Sequence, residues 1–287
     1  MLHTLPRSMW TRFLLMIRGG RSTSNIDRGL HTMNILLTND DGIEAPGLEA
    51  LVQVLASAHD ITVVAPSRER SAVSQGFSFH VDYRVEQIDD RRFRVGGTPV
   101  DCVMFAVSQL GPFDAVISGI NRGANIGWDT WYSGTVGAAC EAARRGYKSI
   151  SVSLDTVGRP QSDHCYGDAA RVLAYYLKQG LVATIPPGHV LNINFPNQVE
   201  LMEGRPQWAV PGTYTYNLNE LAIEAETPHQ WRIQVQQSAT YTNPDNGSDG
   251  DLIREGPTLS LLRLAWREPE AEDVDIFTQW IGHLSRC

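Results

Sequence analysis

The chain has 287 residues, 42% of them hydrophobic and 20% charged, which is the make-up of a folded globule with room for one large α/β domain. No apolar run approaches the ~18 residues that a membrane-spanning helix needs. Formal charge is −8, with Arg7, Arg12, Arg18, Arg21 and Arg28 against Asp27 giving +4 to residues 1–32 and −12 to the rest, so the body repels nucleic acid and a polymeric nucleic-acid partner is not expected.

Residues 1–32 are rich in Arg, Ser and Thr. They read as a disordered leader or a start-site extension ahead of Met33, with an organelle transit peptide as the alternative. Ile35-Leu36-Leu37 then forms a short apolar strand that ends in Thr38-Asn39-Asp40-Asp41-Gly42. Leu48, Leu51, Val52 and Leu55 recur at helical spacing, and Ile61–Ala65 reads as a second strand, completing a βαβ unit. Phe79, Val81, Tyr83 and Val85 alternate up to a turn at Ile88–Arg91. Phe93 and Val95 alternate after it, which predicts an inserted β-hairpin. Thr98-Pro99 marks a helix start, with Thr98 as N-cap.

Asp114–Ser118 reads as a buried strand running into a Gly/Asn-rich loop, Gly119–Gly127. Ser133-Gly134-Thr135 leads into a helix over Val136–Arg145. Ser149–Leu154 is the next predicted strand, Asp168–Gln179 a helix, and Val190–Phe195 the last core strand. Beyond residue 200 short alternating runs such as Trp231–Val235 predict β structure, and Asp273–Leu284 a closing helix. The expected fold class is therefore α/β: a Rossmann-like, mostly parallel sheet with helices on both faces, an inserted hairpin and a C-terminal β-rich extension. The expected divisions are 1–32, 33–200 and 201–287.

The polar residues gather where strands end. Asp40 and Asp41 follow strand 1, a serine-bearing segment follows strand 2, and Asn121 follows the strand at 115–118. In a parallel sheet these ends share one edge, the usual ligand position. Two adjacent carboxylates repel each other and call for a cation. With a hydroxyl and an amide oxygen they form an oxygen-only set suited to Mg²⁺ or Mn²⁺. Spacing does not choose among Ser67, Ser71 and Ser74, and Asn-Asp-Asp-Gly also suits a plain solvated turn. Ser133–Thr135 at a helix start fits either an N-cap or a phosphate held on free N–H groups. Together with the Gly/Asn loop it favours an anion site. Cys102, Cys140, Cys165 and Cys287 lack metal or disulfide spacing, so a reducing, cytoplasmic setting is expected.

The motifs Met33–Gly42 with Ala45-Pro46-Gly47, Val64-Ala65-Pro66 with Arg70-Ser71, Gly97-Thr98-Pro99 with Asp101-Cys102-Val103, Ser118–Asn121 with Gly123 and Asn125, and Tyr132–Val136 occur in one order. In that order they resemble the SurE family, the stationary-phase survival proteins with 5′/3′-nucleotidase activity. The resemblance is dense over 33–200 and thinner to about 265, where Ser248-Asp249 and Glu255-Gly256 fit a later family stretch. Val100 and Pro257 depart from its usual Thr and Tyr. It implies a metal-dependent phosphomonoesterase acting on nucleoside monophosphates, with short polyphosphate as a further substrate. It also implies one Mg²⁺ or Mn²⁺ per subunit on Asp40, Asp41, Ser71 and Asn121, and a homodimer or homotetramer built through the C-terminal extension. Asp40 or Asp41 would orient or deprotonate the attacking water, and Asn125, Ser133, Gly134 and Thr135 would hold the phosphate.

Three rivals fit less well. A haloacid-dehalogenase-type phosphatase needs D-x-D-x-T, where this chain has adjacent acids followed by Gly42-Ile43. A receiver-like signalling domain needs an aspartate after strand 3, where this chain offers Ser118 and Asn121. A nucleotide-binding module without turnover would bind tightly and release no phosphate.

Overall fold

The centre of the molecule is β1 (Asn34–Thr38), whose alternating side chains serve two separate cores. In the computed structural model, which describes residues 32–157, 159–202, 204–213, 221–227, 229–235 and 247–264, all three central residues of β1 are fully buried. Ile35 and Leu37 face one helix layer, and Leu36 faces the other. A strand covered on both faces must be apolar throughout, which is why it reads as a continuous hydrophobic run.

The first layer is α1 (Pro46–Leu55), with Leu48, Leu51 and Leu55 turned inward, and α5 (Tyr166–Lys178), with Ala169, Ala170, Leu173 and Leu177. The second is α2 (Pro99–Gln109) and α4 (Gly134–Arg144), which bring Cys102, Val103, Ala106, Ala138 and Ala142 against Leu36. The one-turn helix α3 (Asp129–Tyr132) precedes α4 and was not foreseen. Thr98 caps α2 as expected. Its hydroxyl accepts from Asp101 N at 3.2 Å, while the Asp101 carboxylate accepts from Thr98 N at 2.8 Å.

Among the described residues the sheet has nine strands, in the order β3-β4-β2-β1-β5-β6-β7-β11-β8. They are β2 (Asp60–Pro66), β3 (Val85–Asp89), β4 (Arg92–Val95), β5 (Ala115–Arg122), β6 (Lys148–Asp155), β7 (His189–Pro196), β8 (Gln207–Trp208) and β11 (Thr258–Arg263). The run from β4 through β2, β1, β5 and β6 to β7 is parallel. From β1 the chain builds outward through β2, then crosses to the other side of β1 to lay down β5. That reversal makes a crevice at the carboxyl ends of β1 and β5.

Three expectations change. The segment from Phe77 to Tyr83 does not pair; only Val85–Asp89 joins β4, and Phe77, Phe79 and Val81 are exposed. Ser78 is instead held by Asp101, whose carboxylate takes both its N–H and its hydroxyl, at 2.9 and 2.7 Å. The hairpin is also the edge of the main sheet, since β4 pairs in parallel with β2. Second, Gly119–Arg122 is strand, not loop, because β6 is long enough to pair with Asn121 and Arg122. Third, β7 is not the last core strand: β11 adds to it antiparallel, and β8 pairs with β11. An antiparallel strand covering an edge gives no periodicity that marks it as core.

β9 (Leu221–Thr227) and β10 (Gln230–Val235) form a separate two-stranded antiparallel hairpin. All but the last residue of the predicted leader at 1–32, and the closing helix at 273–284, lie outside the described residues. No helix among the described residues is long and apolar enough to cross a membrane.

Candidate active site

Asp40 stands just past the end of β1 and is 3% exposed. Burial, and then the neighbouring charge of Asp41, push its carboxyl up to about 6. The opposing pull comes from Thr135, whose hydroxyl makes a short hydrogen bond to Asp40 Oδ1 and whose backbone N–H also faces the carboxylate. Thr135 lies in the first turn of α4, so the positive end of the helix dipole meets the buried acid. The approach is tight because residue 134 is glycine: a Cβ there would lie 2.8 Å from Asp40 Cβ and 2.9 Å from Oδ2.

Asn121 reaches the same point from β5. Between Ser118 and Asn121 the strand advances three residues while β6 advances two, from Ser151 to Ser153. Such a bulge re-aims the side chains that follow it. The Asn121 amide nitrogen donates to Gly123 O at 2.8 Å, which leaves Oδ1 facing the site, 3.3 Å from Thr135 Oγ1. Three oxygens, from Asp40, Thr135 and Asn121, therefore converge around one hydroxyl proton. A donor set of this kind fits a hard cation. Gly47 at the start of α1 packs against the bulge, since a Cβ there would lie 2.0 Å from Ile120 O.

Asp41 is half-buried, and burial raises its carboxyl above the usual range, partly offset by Arg122. The Arg122 backbone N–H donates to Asp41 Oδ2 at 3.1 Å. The Arg122 guanidinium pairs with Glu69 at 3.2 Å, and Ser71 donates its hydroxyl to the same Glu69 oxygen at 2.8 Å. Because Ser71 gives its proton to Glu69, its lone pairs stay free to coordinate. The Asp40 carbonyl accepts from Arg70 N at 2.7 Å, which fastens the post-β2 segment beside the aspartates. Ser74 points elsewhere, with its hydroxyl on Trp131 O at 2.6 Å.

The expected phosphate residues separate into two groups. Ser133 caps α4 by accepting from Val136 N, and Gly134 and Thr135 lie against Asp40. Asn125 is buried in a polar network: its amide donates to Ser153 Oγ at 2.8 Å, its N–H donates to Asn194 Oδ1 at 2.7 Å, and its carbonyl accepts from Asn192 and Asn194. The bond to Ser153 engages one of its two side-chain N–H groups. Among the described residues no three His, Cys, Asp or Glu side chains gather in one place, so a metal here would depend on hydroxyl and amide oxygens as well as on the two carboxylates.

A family model described as survival protein SurE matches residues 35–217, well over half the chain. The chain belongs to the SurE family. The matched span contains every site residue named above. Curated relatives called 5′-nucleotidase SurE include that of Pelobacter propionicus, 45% identical over 167 residues, covering 58% of this chain and 66% of the relative. That of Aliivibrio fischeri is 45% identical over 168 residues, covering 58% of this chain and 63% of the relative. The chain thus spans less than two thirds of the length of these relatives. The crystal structure of the SurE protein from Aquifex aeolicus superposes with a TM-score of 0.68 at 30% identity, covering 82% of this chain and 95% of that one.

Sequence reasoning missed Glu69 and Tyr166 in this SurE-family site, and it placed Asp249 in a family stretch without giving it a role. Glu69 sat unremarked in a charged run, and its role appears only when Ser71 and Arg122 converge on it. Tyr166 begins α5 far along the chain yet lines the pocket beside Asp41. Asp249 is fully buried, and its carboxylate accepts from the N–H groups of Gly127, Gly212 and Gly250 at 2.9 to 3.0 Å. It ties the segment after residue 200 to the loop that carries Asn125.

Proposed function

We propose that this SurE-family chain is a divalent-metal-dependent phosphomonoesterase that hydrolyses nucleoside 5′- and 3′-monophosphates to nucleoside and phosphate, with short polyphosphate as a second substrate class. The observation that supports this most is the meeting of Asp40, Asn121 and Thr135 at the first turn of α4. One point then offers oxygens for Mg²⁺ or Mn²⁺ beside the start of a helix, whose positive dipole end suits a phosphate. Asp40, Asp41, Ser71 and Asn121 are the proposed ligands. Asn125, Ser133, Gly134 and Thr135 are the proposed phosphate holders.

The bound ion would supply charge neutralisation and a more acidic water. Asp40 or Asp41 orients that water and takes its proton. As the water oxygen bonds to phosphorus, the ester P–O bond breaks, and the sugar oxygen leaves as the alcohol after taking the proton that the aspartate removed from the water. The Ser133–Thr135 turn and Asn125 steady the non-bridging oxygens, so catalysis rests on positioning and charge rather than a covalent intermediate. Phosphate release from 5′- and 3′-nucleotides, with Mn²⁺ or Mg²⁺ and with a chelator control, tests the reading. Metal-dependent release supports it, and none from folded protein with either ion overturns it.

Self-association through the β-rich segment after residue 200 belongs to the same proposal. On the β9–β10 hairpin, Ile223 lies opposite Ile233, and both are 60% exposed along with Trp231 at 59%. Arg232 pairs with Glu224 and Glu226 on the other face. A lone two-stranded hairpin is marginal in water, so its apolar face is suited to a second copy.

A further inference from the structure

Beside Asp41, and one residue along the chain from the Asp40–Thr135 contact, an open pocket is lined by Asp41, Pro46, Glu69, Arg122, Gln161 and Tyr166. Five of its lining side chains are polar, two carboxylates, a guanidinium, an amide and a phenol, beside the apolar Ala45 and Pro46. The phenol is the informative group. Tyr166 is 8% exposed, and its hydroxyl lies within electrostatic reach of both Asp41 and Arg122. A phenol held beside a carboxylate and a guanidinium can both donate to and accept from a ligand hydroxyl. Glu69 uses one carboxylate oxygen on Ser71 and Arg122, and the other has no partner among the described residues.

We propose that this pocket receives the ribose of a nucleotide substrate, with Tyr166, Glu69 and Gln161 reading its hydroxyls. The assignment rests on the nucleotidase reading above, since it takes the phosphate to lie on the α4 turn and the ester-linked group to extend past Asp41. A ring bearing vicinal hydroxyls matches the mixed donor and acceptor lining. A base seated there instead, against the Tyr166 ring, would be indifferent to loss of the ribose hydroxyls.

The test compares a ribonucleoside 5′-monophosphate with its 2′,3′-dideoxy counterpart in the wild-type protein, Tyr166→Phe and Gln161→Ala. Glu69 is left intact because it also holds Ser71. The wild type is expected to show a KM about tenfold higher for the dideoxy substrate, and each variant to narrow that gap to about twofold or threefold. Equal KM values in the wild type would overturn the pocket assignment while leaving nucleotidase activity standing. A gap that persists in both variants would overturn it too. No phosphate release from either substrate with metal present would defeat the nucleotidase reading and this inference with it.

Discussion

At the scale of single residues, the site is held under electrostatic tension. Asp40 is buried beside a second carboxylate, and Thr135 at the α4 terminus, with a smaller part from the Asp40 backbone N–H, opposes the cost. Asp40→Asn should lower kcat by about 10³-fold or more, corresponding to at least ~4 kcal/mol of lost transition-state stabilisation. In chelator the same change should raise Tm by roughly 2–4 °C, because it removes about 1 kcal/mol of buried like-charge repulsion. A variant as active as wild type in metal-replete buffer would remove Asp40 from the proposed machinery. Gly134→Ala places a methyl group 2.8 Å from Asp40 Cβ and forces α4 away from the acid. A displacement near 1 Å is enough to cost about 10²-fold in kcat/KM, measurable with saturating metal.

At the scale of elements, helix ends and segment ties do the positioning. The Thr98–Asp101 capping box holds the start of α2, and Asp101 also carries Ser78. Thr98→Ala should cost about 1 kcal/mol, read by denaturant unfolding, with little effect on turnover. Asp101→Ala should cost more, since it leaves the N–H groups of Thr98 and Ser78 without their acceptor. Asp249 acts over a longer reach. Its bond to Gly127 N at 3.0 Å fixes the far end of the Asn125 loop. Asp249→Ala leaves three glycine N–H groups without their acceptor, at about 1–3 kcal/mol each before relaxation. Its functional signature should be a KM rise larger than the fall in kcat, partly restored in Asp249→Asn. An unchanged KM would confine Asp249 to a structural role.

At the scale of the whole molecule, the sheet order places the site and the hairpin is set apart from it. The crevice lies where strand order reverses at β1 and β5, and the apolar face of β9–β10 lies on a separate two-stranded sheet. With the proposed self-association through this face, Ile223→Lys combined with Ile233→Lys should give a smaller species than wild type in light scattering. An unchanged mass would show that this face does not mediate assembly. Both strands should still form, because the Arg232–Glu224 cross-strand pair remains.

The sequence alone determined the elements whose local pattern matches their surroundings. β1 and β2 are buried on both faces and therefore apolar throughout, α1 shows a helical stripe, and Thr98-Pro99 announces α2 through cap chemistry that acts within a few residues. The acids after β1 and the Gly/Asn stretch after β5 were likewise visible, because parallel strands bring their carboxyl ends to one edge. Tertiary structure alone decided the rest. Phe77–Val81 alternates like a strand but has no neighbour to pair with among the described residues. Gly119–Arg122 resembles a loop but finds one in β6. Glu69, Tyr166 and Asp249 gain their roles from partners far away in the chain, and a periodicity of two or 3.6 residues carries no record of contacts made across the fold.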